Sequence, residues 1–443
     1  MSIGRNVVIV GGGLAGLSAA IYLARGGRSV TLFERRRSLG GRAVTQLRQG
    51  FRFNLGAHAF YRGGAGAAAF RELGVPIVGG LSPRRGTAIL EGEEYKLPMG
   101  WLSLLTTSLL PLSAKREAAA ILLRIRRNTV GETTGLTLSG WLDANTSGER
   151  ARLVLEALFR LSTYSDRPHE QSAALALAQM RIAMRGTLYL HEGWQRIVDS
   201  LHSAAVTVGV NFVTSSRVVS IEHDGAVRAV HLGGLELDAD QMDTQSLSLA
   251  EATERAEGAR LPADTVLLAV DPATAAELAG DVGDSWRTAQ PVTAACLDVA
   301  LRRLPAPSRS FALGVDHPVY LSVHSSVAQL APKGGALIHM ARYMDGARAA
   351  GSSSLSPAEV ESELESLLDR MQPGWREVLV HRRFLPAMTV SNAIGSPSAP
   401  RPSHVTPVRG LFLAGDWVGG EGLLSDAAMS SARAAARSIL AGV

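Results

Sequence analysis

Three glycines and a carboxylate carry the first chemical signal. Gly11, Gly13 and Gly16 form a G-x-G-x-x-G pattern directly after the apolar run Val7-Val8-Ile9-Val10, and Glu34 closes the next apolar run. Gly11 permits a tight turn, Gly13 lets the backbone approach a pyrophosphate, and Gly16 lets helix and strand pack closely. The helix N-terminus adds free N–H groups and a positive dipole end. A carboxylate at Glu34 can accept both ribose hydroxyls and disfavours a 2′-phosphate. Further groups favour FAD over a nicotinamide dinucleotide. After Arg35 come Gly40, Gly41 and Arg42, which allow close backbone approach and bring a fixed positive charge. Near the C-terminus, Leu411-Phe-Leu-Ala-Gly415-Asp416 ends in a glycine and a carboxylate that could accept from ribityl hydroxyls. Ser425-Asp426 reads as a helix start, whose N–H groups could meet the flavin pyrimidine oxygen and favour a reduced, anionic ring.

The elements that must position these residues follow from apolar periodicity. Asn6–Val10 reads as a buried strand, Leu14–Arg25 as a helix ended by Gly26-Gly27, and Ser29–Phe33 as a second strand. This βαβ unit predicts a parallel sheet covered by helices. Residues 97–184 look mainly helical. VTVGVNF, SRVVSIE and AVRAVHL between positions 206 and 232 read as strands, with a His223-Asp224-Gly225 turn. Residues 240–260 look like a polar surface excursion. Residues 264–270 and 410–416 are further buried strands, AACLDVAL and ALIHMARY are strand candidates, and residues 356–371 form an amphipathic helix with Ser354 or Ser356 near its cap. Residues 391–407 are Pro/Ser-rich and linker-like. A last helix starts near Ser425.

Composition sets bounds. With 443 residues, 46% hydrophobic and 19% charged, the chain can build a large core and is neither disordered nor fibrous. The length suggests about three domain-sized units, or two interleaved domains. A single cysteine, Cys296, excludes an internal disulfide, a Cys-rich metal or iron–sulfur site and a redox-active pair, and it points to a reducing cytoplasm. Net charge is +5, and lysine occurs only at Lys96, Lys115 and Lys333. That balance hints at a basic face, although a compositional bias toward Arg and Ala explains it as well. No HExxH, GxSxG or P-loop pattern is present, so no metal site is expected. The apolar run at residues 7–10 is too short for a signal-peptide core. Residues 97–112, LPMGWLSLLTTSLLPL, fall short of a membrane span. Their apolar residues Trp101, Leu104, Leu105, Leu109 and Leu112 recur at helical spacing, and Arg124, Arg126 and Arg127 follow. The segment reads as a membrane-docking or substrate-entry helix, or as an ordinary core helix.

VVIVGGGLAGLSAAIYLARGGRSVTLFERRRSLGGRA together with GLFLAGDW resembles the FAD-dependent amine oxidase, phytoene desaturase and protoporphyrinogen oxidase superfamily. The resemblance implies FAD contacts at Gly11, Gly13, Leu14, Ala15, Gly16, Glu34, Arg35, Gly40, Gly41, Arg42, Gly415 and Asp416. SRVVSIEHDG is similar to the family strand against the adenine, which picks out Val218. Residues 53–60 resemble the family's FDxGPHxF segment beside the flavin, bringing in Gly56, Ala57 and His58, with Asn54 where Asp is usual and Ala57 where Pro is usual. The pocket-side helix start, Met-Glu-Gly in the family, is Ser425-Asp426-Ala427 here, preceded by Leu424. His58, Tyr61, Trp194 and Trp417 are catalytic candidates only because family-like segments place them near the flavin; each also reads as a structural residue. PVTAACLDVAL resembles the strand on which amine oxidases carry a lysine near flavin N5, and it has none. The lone cysteine lies far from the C-terminal flavin segment, so the resemblance implies non-covalent FAD. RPSHVTPVRGLFLAGDW is closer to the desaturase and hydroxysqualene-dehydroxylase branch than to the amine oxidases.

The expected fold is α/β: a Rossmann-like FAD-binding domain from residues 1–80, 190–285 and 401–443, with a mixed α+β substrate domain from 81–189 and 286–400. The expected chemistry is oxidation by hydride transfer to flavin N5, with O₂ or a quinone as acceptor, because no second G-x-G-x-x-G marks a nicotinamide domain. The leading substrate is an apolar, polyprenoid-like molecule. An amine or amino-acid-derived metabolite is the alternative, and a flavin-free lipid-binding protein on the same fold is the non-enzymatic one. No nucleic-acid partner is expected. The expected location is the cytoplasm, with peripheral membrane contact left open.

Overall fold

A computed structural model describes residues 6–83, 85–233, 258–344 and 355–443. A five-stranded parallel sheet runs in the order Asn211–Val213, Ser29–Phe33, Asn6–Val10, Thr265–Leu268, Leu411–Leu413. Its strands are short and, except for the edge strand Asn211–Val213, mostly buried, as a sheet covered on both faces requires. One face packs on the helices Leu14–Arg25, Ala65–Leu73, Gln195–Thr207 and Leu424–Ala441, through Ile9, Leu17, Ile21, Leu32, Leu201, Phe412 and Ala435. The other face packs through Val8, Val10, Val266 and Leu413 on the antiparallel strands Val218–His223 and Val227–Leu232 and on the helix Pro272–Ala279.

A seven-stranded sheet forms the second large layer, ordered Leu379–Ser391, Val292–Leu301, Ala336–Tyr343, Val319–Val323, Phe311–Gly314, Thr87–Leu90, Glu93–Lys96. Along Val292–Leu301 the pleat sends Ala295, Leu297, Val299 and Leu301 toward the helix Pro357–Met371. Ala294 and Cys296 point the other way, into a core shared with Ala57, Tyr164, Tyr343 and the helical segments after Leu97. Asp298 shares that parity, so the strand's period of two aims Cys296 and Asp298 at one face. Ser356 and Glu359 close a capping box on Pro357–Met371.

Two sequence expectations are corrected. VTVGVNF is not a strand throughout: the helix Gln195–Thr207 runs through its first residues, and only Asn211–Val213 is extended. Ala205 is fully buried in that helix, so packing overrides the β-branched preference of Val206 and Thr207. Residues 97–112 are not one helix either. A helix Trp101–Thr106 stops at Thr107, and a second, Leu112–Arg127, starts after Pro111. The Thr107 hydroxyl donates to Lys96 O and accepts from Leu109 N, satisfying the backbone where the helix breaks. Leu104, Leu109 and Leu110 are buried, whereas Trp101, Leu102, Leu105 and Leu112 are exposed by 44%, 73%, 70% and 64%. Residues 240–257, most of the expected polar excursion, lie outside the described residues, as does Ser354.

Candidate active site

The turn after the first strand is built by close contacts. Gly11 has φ +108°, and a Cβ there would stand 2.6 Å from Ala269 O. A Cβ at Gly16 would stand 1.9 Å from Gly11 O, so helix and turn touch backbone to backbone. Gly13 differs: a Cβ there would meet no protein atom within 4 Å. Internal packing therefore does not demand this glycine, whereas close approach by a ligand's pyrophosphate does. The helix Leu14–Arg25 begins with Gly13 as its N-cap, without a side-chain cap and without an acidic residue in its first turn. The amides of Leu14, Ala15 and Gly16 thus open an anion-favouring helix end. Gly40 donates to Gly12 O at 2.8 Å and bridges Gly13, which brings Gly40, Gly41 and Arg42 beside the turn.

Glu34 is buried at the end of the strand Ser29–Phe33. Its Oε2 accepts from Gly12 N at 2.7 Å and its Oε1 from Arg36 N at 2.9 Å. Ser216 donates its amide to Glu34 O, and its buried hydroxyl has no partner. Val218 is buried behind them, in the core that includes Phe33. Arg35 is exposed. At the far end of the sheet, Asp416 Oδ2 takes Arg42 Nη2 at 2.7 Å and Asn392 N at 3.1 Å, while Asn392 Nδ2 reaches Oδ1 at 2.9 Å. Arg401 holds Asp416 O and Gly422 O, and burial pulls its guanidinium down to about 10 despite the nearby Asp416. Gly415 is tied at N and O to the Ser431 hydroxyl of the last helix. Sequence reasoning missed Asn392, Arg401 and Ser216. None belongs to a periodic pattern, and the first two lie in the segment read as a linker.

Residues 54–58 approach the same region from the neighbouring hairpin Thr45–Arg48 and Phe51–Asn54. The Asn54 side chain accepts from Thr45 Oγ1 at 2.7 Å and from Trp194 N at 3.1 Å. Arg383 donates to Asn54 O and to Asp298, and Asp298 Oδ1 meets His339 Nδ1 at 2.6 Å. Burial would raise the Asp298 carboxyl, but His339 and Arg383 together hold it below the usual range. Gly56 has φ +77°, and a Cβ there would stand 2.9 Å from Cys296 Sγ. The lone cysteine is therefore beneath this loop, far closer to the site than its sequence position suggests. Burial pushes its thiol up to about 12, which keeps it protonated and unreactive.

The four catalytic candidates are placed differently from one another. His58 donates to Gly56 O from Nδ1 and faces Trp194 at 5.4 Å; burial pulls it down to about 4, so it is neutral at physiological pH. Trp194 is buried with its indole nitrogen unpartnered. Tyr61 donates to Ser162 O at 2.7 Å, and burial raises its phenol. Trp417 is fully buried, donates to Val270 O and packs near Trp286 on the other face of the sheet. Leu424 takes φ +56° at the start of the last helix and packs on the core containing Ala57 and Cys296, with Ser425 next to it.

A doubly covered parallel sheet with a bare glycine turn, an inward carboxylate at the second strand and a distant Asp416 is the architecture of an FAD-dependent oxidoreductase, and the residues present fit the cofactor. The sequence pattern of the flavin containing amine oxidoreductase family matches residues 14–440, and the chain belongs to that family. The fold is similar to that of an oxidoreductase from Methanosarcina mazei, with TM-score 0.74, 19% identity and coverage of 97% of this chain and 99% of that one. It is also similar to a triple mutant of a putrescine oxidase, with TM-score 0.71, 15% identity and 99% of both chains covered. A carotenoid 3,4-desaturase from Haloarcula japonica is 53% identical over 53 residues, which is 12% of this chain and 11% of that protein. The match thus spans about a tenth of that relative's length. Among the described residues, no helix is long and apolar enough to cross a membrane, and no cluster of metal-ligating side chains occurs.

Proposed function

We propose that this enzyme oxidises an apolar, polyprenoid-like substrate, which it takes from a lipid surface. FAD supplies the hydride-accepting centre when bound. The chain's own residues bind and orient. The amides opening Leu14–Arg25 would hold the pyrophosphate, with Gly40 and Gly41 close by, Glu34 would hold the adenosine ribose, Val218 would back the adenine, and Asp416 with Arg42 would hold the ribityl end. Residues 56–58 and 424–425 would border the ring, and the buried Ala57, Cys296 and Tyr164 with the partly buried Leu424 would exclude water from it. His58 is neutral and serves as a shape-setting wall. O₂ or a quinone would accept the electrons. Residues 1–80, 190–285 and 401–443 act as the FAD-binding part, and 81–189 with 286–400 as the substrate part.

One observation carries this reading: the exposed helix Trp101–Thr106. Its apolar side chains Trp101, Leu102 and Leu105 face outward. Two of the chain's three lysines flank it, Lys96 donating to Thr106 Oγ1 and Lys115 to Leu105 O. An apolar turn framed by cations suits an anionic bilayer surface, and an enzyme for a freely soluble amine has no use for it.

Anaerobic mixing tests the substrate. Polyprenoids in liposomes should bleach the flavin band near ~450 nm, and soluble amines such as putrescine should not. Bleaching by amines alone would reverse the assignment. Acid precipitation should release all the flavin into the supernatant, because the Cys296 thiol is buried and protonated; flavin retained in the pellet would show a covalent bond.

A further inference from the structure

Three buried polar groups in the seam between the last helix and the helical layer have no partner. Gln179, on the helix Ala173–Ala183, is 1% exposed, and neither its amide nitrogen nor its amide oxygen is hydrogen-bonded. The Tyr343 hydroxyl is buried and unpaired, as is Asp426 Oδ2, while Asp426 Oδ1 accepts from Gly66 N at 2.7 Å. Tyr61 links them: Gln179 lies near its hydroxyl without hydrogen-bond geometry, and Asp426 and Tyr343 lie within electrostatic reach of it. Tyr164 stands 6.1 Å from Tyr343, ring to ring. Around these groups the lining is apolar, with Leu424, Ile394, Ala57 and Cys296 in the same core.

Buried polar groups in folded proteins are satisfied almost without exception, and each unsatisfied one asks for an explanation. One here would be incidental. Three on separate elements, converging on one tyrosine and next to the residues that border the flavin, form a polar pole in an apolar site. We propose that this pole receives a neutral oxygen function, a hydroxyl or carbonyl, on an otherwise apolar substrate chain. The inference rests on the apolar-substrate reading above. Gln179 offers donors and an acceptor, Tyr343 a donor and Asp426 an oxygen, which together match a group that both gives and takes a hydrogen bond. Burial and Glu421 push the Asp426 carboxyl up to about 7 against the pull of Gly66 N, so near neutral pH about half of it is protonated, and that neutral form suits an uncharged partner. A pure hydrocarbon would leave all three groups unpaired, and sites of this kind discriminate strongly against analogues that lack the polar group.

The holoenzyme should be titrated with farnesol, β-farnesene and farnesylamine, following the flavin absorbance. Farnesol should bind at least ~10-fold tighter than farnesene, a modest share of the discrimination such polar sites reach. Gln179→Leu and Tyr343→Phe should each shrink that preference by roughly threefold or more while leaving farnesene binding unchanged. Removing an unpartnered hydroxyl costs the ligand-free fold nothing, so Tyr343→Phe should keep or raise the melting temperature as it weakens farnesol. A residue with a merely structural role would not give those opposite signs. Equal affinity for farnesol and farnesene, or a preference untouched in both variants, overturns the polar pole and leaves the apolar reading standing; ordered water then satisfies the three groups. Tighter binding of farnesylamine overturns the neutral assignment. If neither terpene binds, the apolar reading itself falls and this inference with it. Should Gln179→Leu fail to fold, Tyr343→Phe decides alone.

Discussion

Glu34 is oriented before any ligand is considered. Two backbone amides, Gly12 N and Arg36 N, each take one of its oxygens, so the carboxylate is fixed against the glycine turn. Glu34→Ala should weaken FAD binding by about 1.5–3 kcal/mol, the range for hydrogen bonds to charged groups. That is roughly a 10- to 150-fold rise in Kd. Equilibrium dialysis of the reconstituted apoprotein measures it, and unchanged retention would remove Glu34 from the ribose. Asp426 makes a prediction in the apoprotein. Its folded pKa is raised to about 7 by burial and Glu421, while its unfolded value is near ~3.9. The folded state then binds a proton that the unfolded state has lost, so stability falls as pH rises from about 4 to about 7 and is flat above. Tyr61 and the Gly66 amide also face the group, and neither titrates in that window. Asp426→Asn should abolish this fall, which is on the order of 4 kcal/mol for a shift of that size. Thermal unfolding of both apoproteins across that range checks it; parallel pH profiles would show that Asp426 titrates normally.

Elements were legible where local signals agreed and obscure where packing decided. Asn6–Val10, Leu14–Arg25 and Ser29–Phe33 are bounded in the structure as the apolar runs and glycines predict. Val206 and Thr207 were misread because β-branched residues favour strands locally, while the buried face of Gln195–Thr207 holds them in a helix. Residues 97–112 were misread because Thr107 and Pro111 interrupt a periodic apolar pattern that otherwise continues. The strand Leu379–Ser391 gave no alternation to read, since most of its residues are only half-buried. Yet it carries Arg383, whose guanidinium ties Asp298 to the backbone of the Asn54 loop. That tie was invisible because its members are 85 and 329 positions apart. Arg383→Met leaves a buried carboxylate with His339 as its remaining side-chain hydrogen-bond partner and should cost roughly 3–5 kcal/mol. The double change Asp298→Asn with Arg383→Met should recover part of that loss, because the stranded charge is gone. Chemical denaturation of the three variants measures the coupling; additive losses would mean that Arg383 acts independently of Asp298.

At the scale of the whole molecule, the site is assembled from distant segments: the glycine turn and Asp416 from the ends of the parallel sheet, the last helix packed on it, the Asn54 loop from the hairpin of Thr45–Arg48 and Phe51–Asn54, and Cys296 from an interior strand of the seven-stranded sheet. With the proposed site between these layers, an apolar substrate of the kind proposed would need a sheltered entry from wherever it is dissolved. The turn at residues 101–106 is the exposed apolar surface suited to that task. Burying Trp101 and Leu105 in a bilayer interface is worth about 1.5–3 kcal/mol for each side chain fully transferred. Lys96 and Lys115 add attraction to anionic lipid that salt screens. The holoenzyme should therefore sediment with vesicles containing phosphatidylserine or phosphatidylglycerol, and less so as salt is raised. Because both side chains are exposed, Trp101→Glu with Leu105→Glu removes no core packing and should leave the fold and the bound FAD intact. It should nonetheless abolish sedimentation. A wild type that ignores anionic vesicles, or a double variant that still binds them, would detach this surface from the membrane and leave the apolar substrate without its route in.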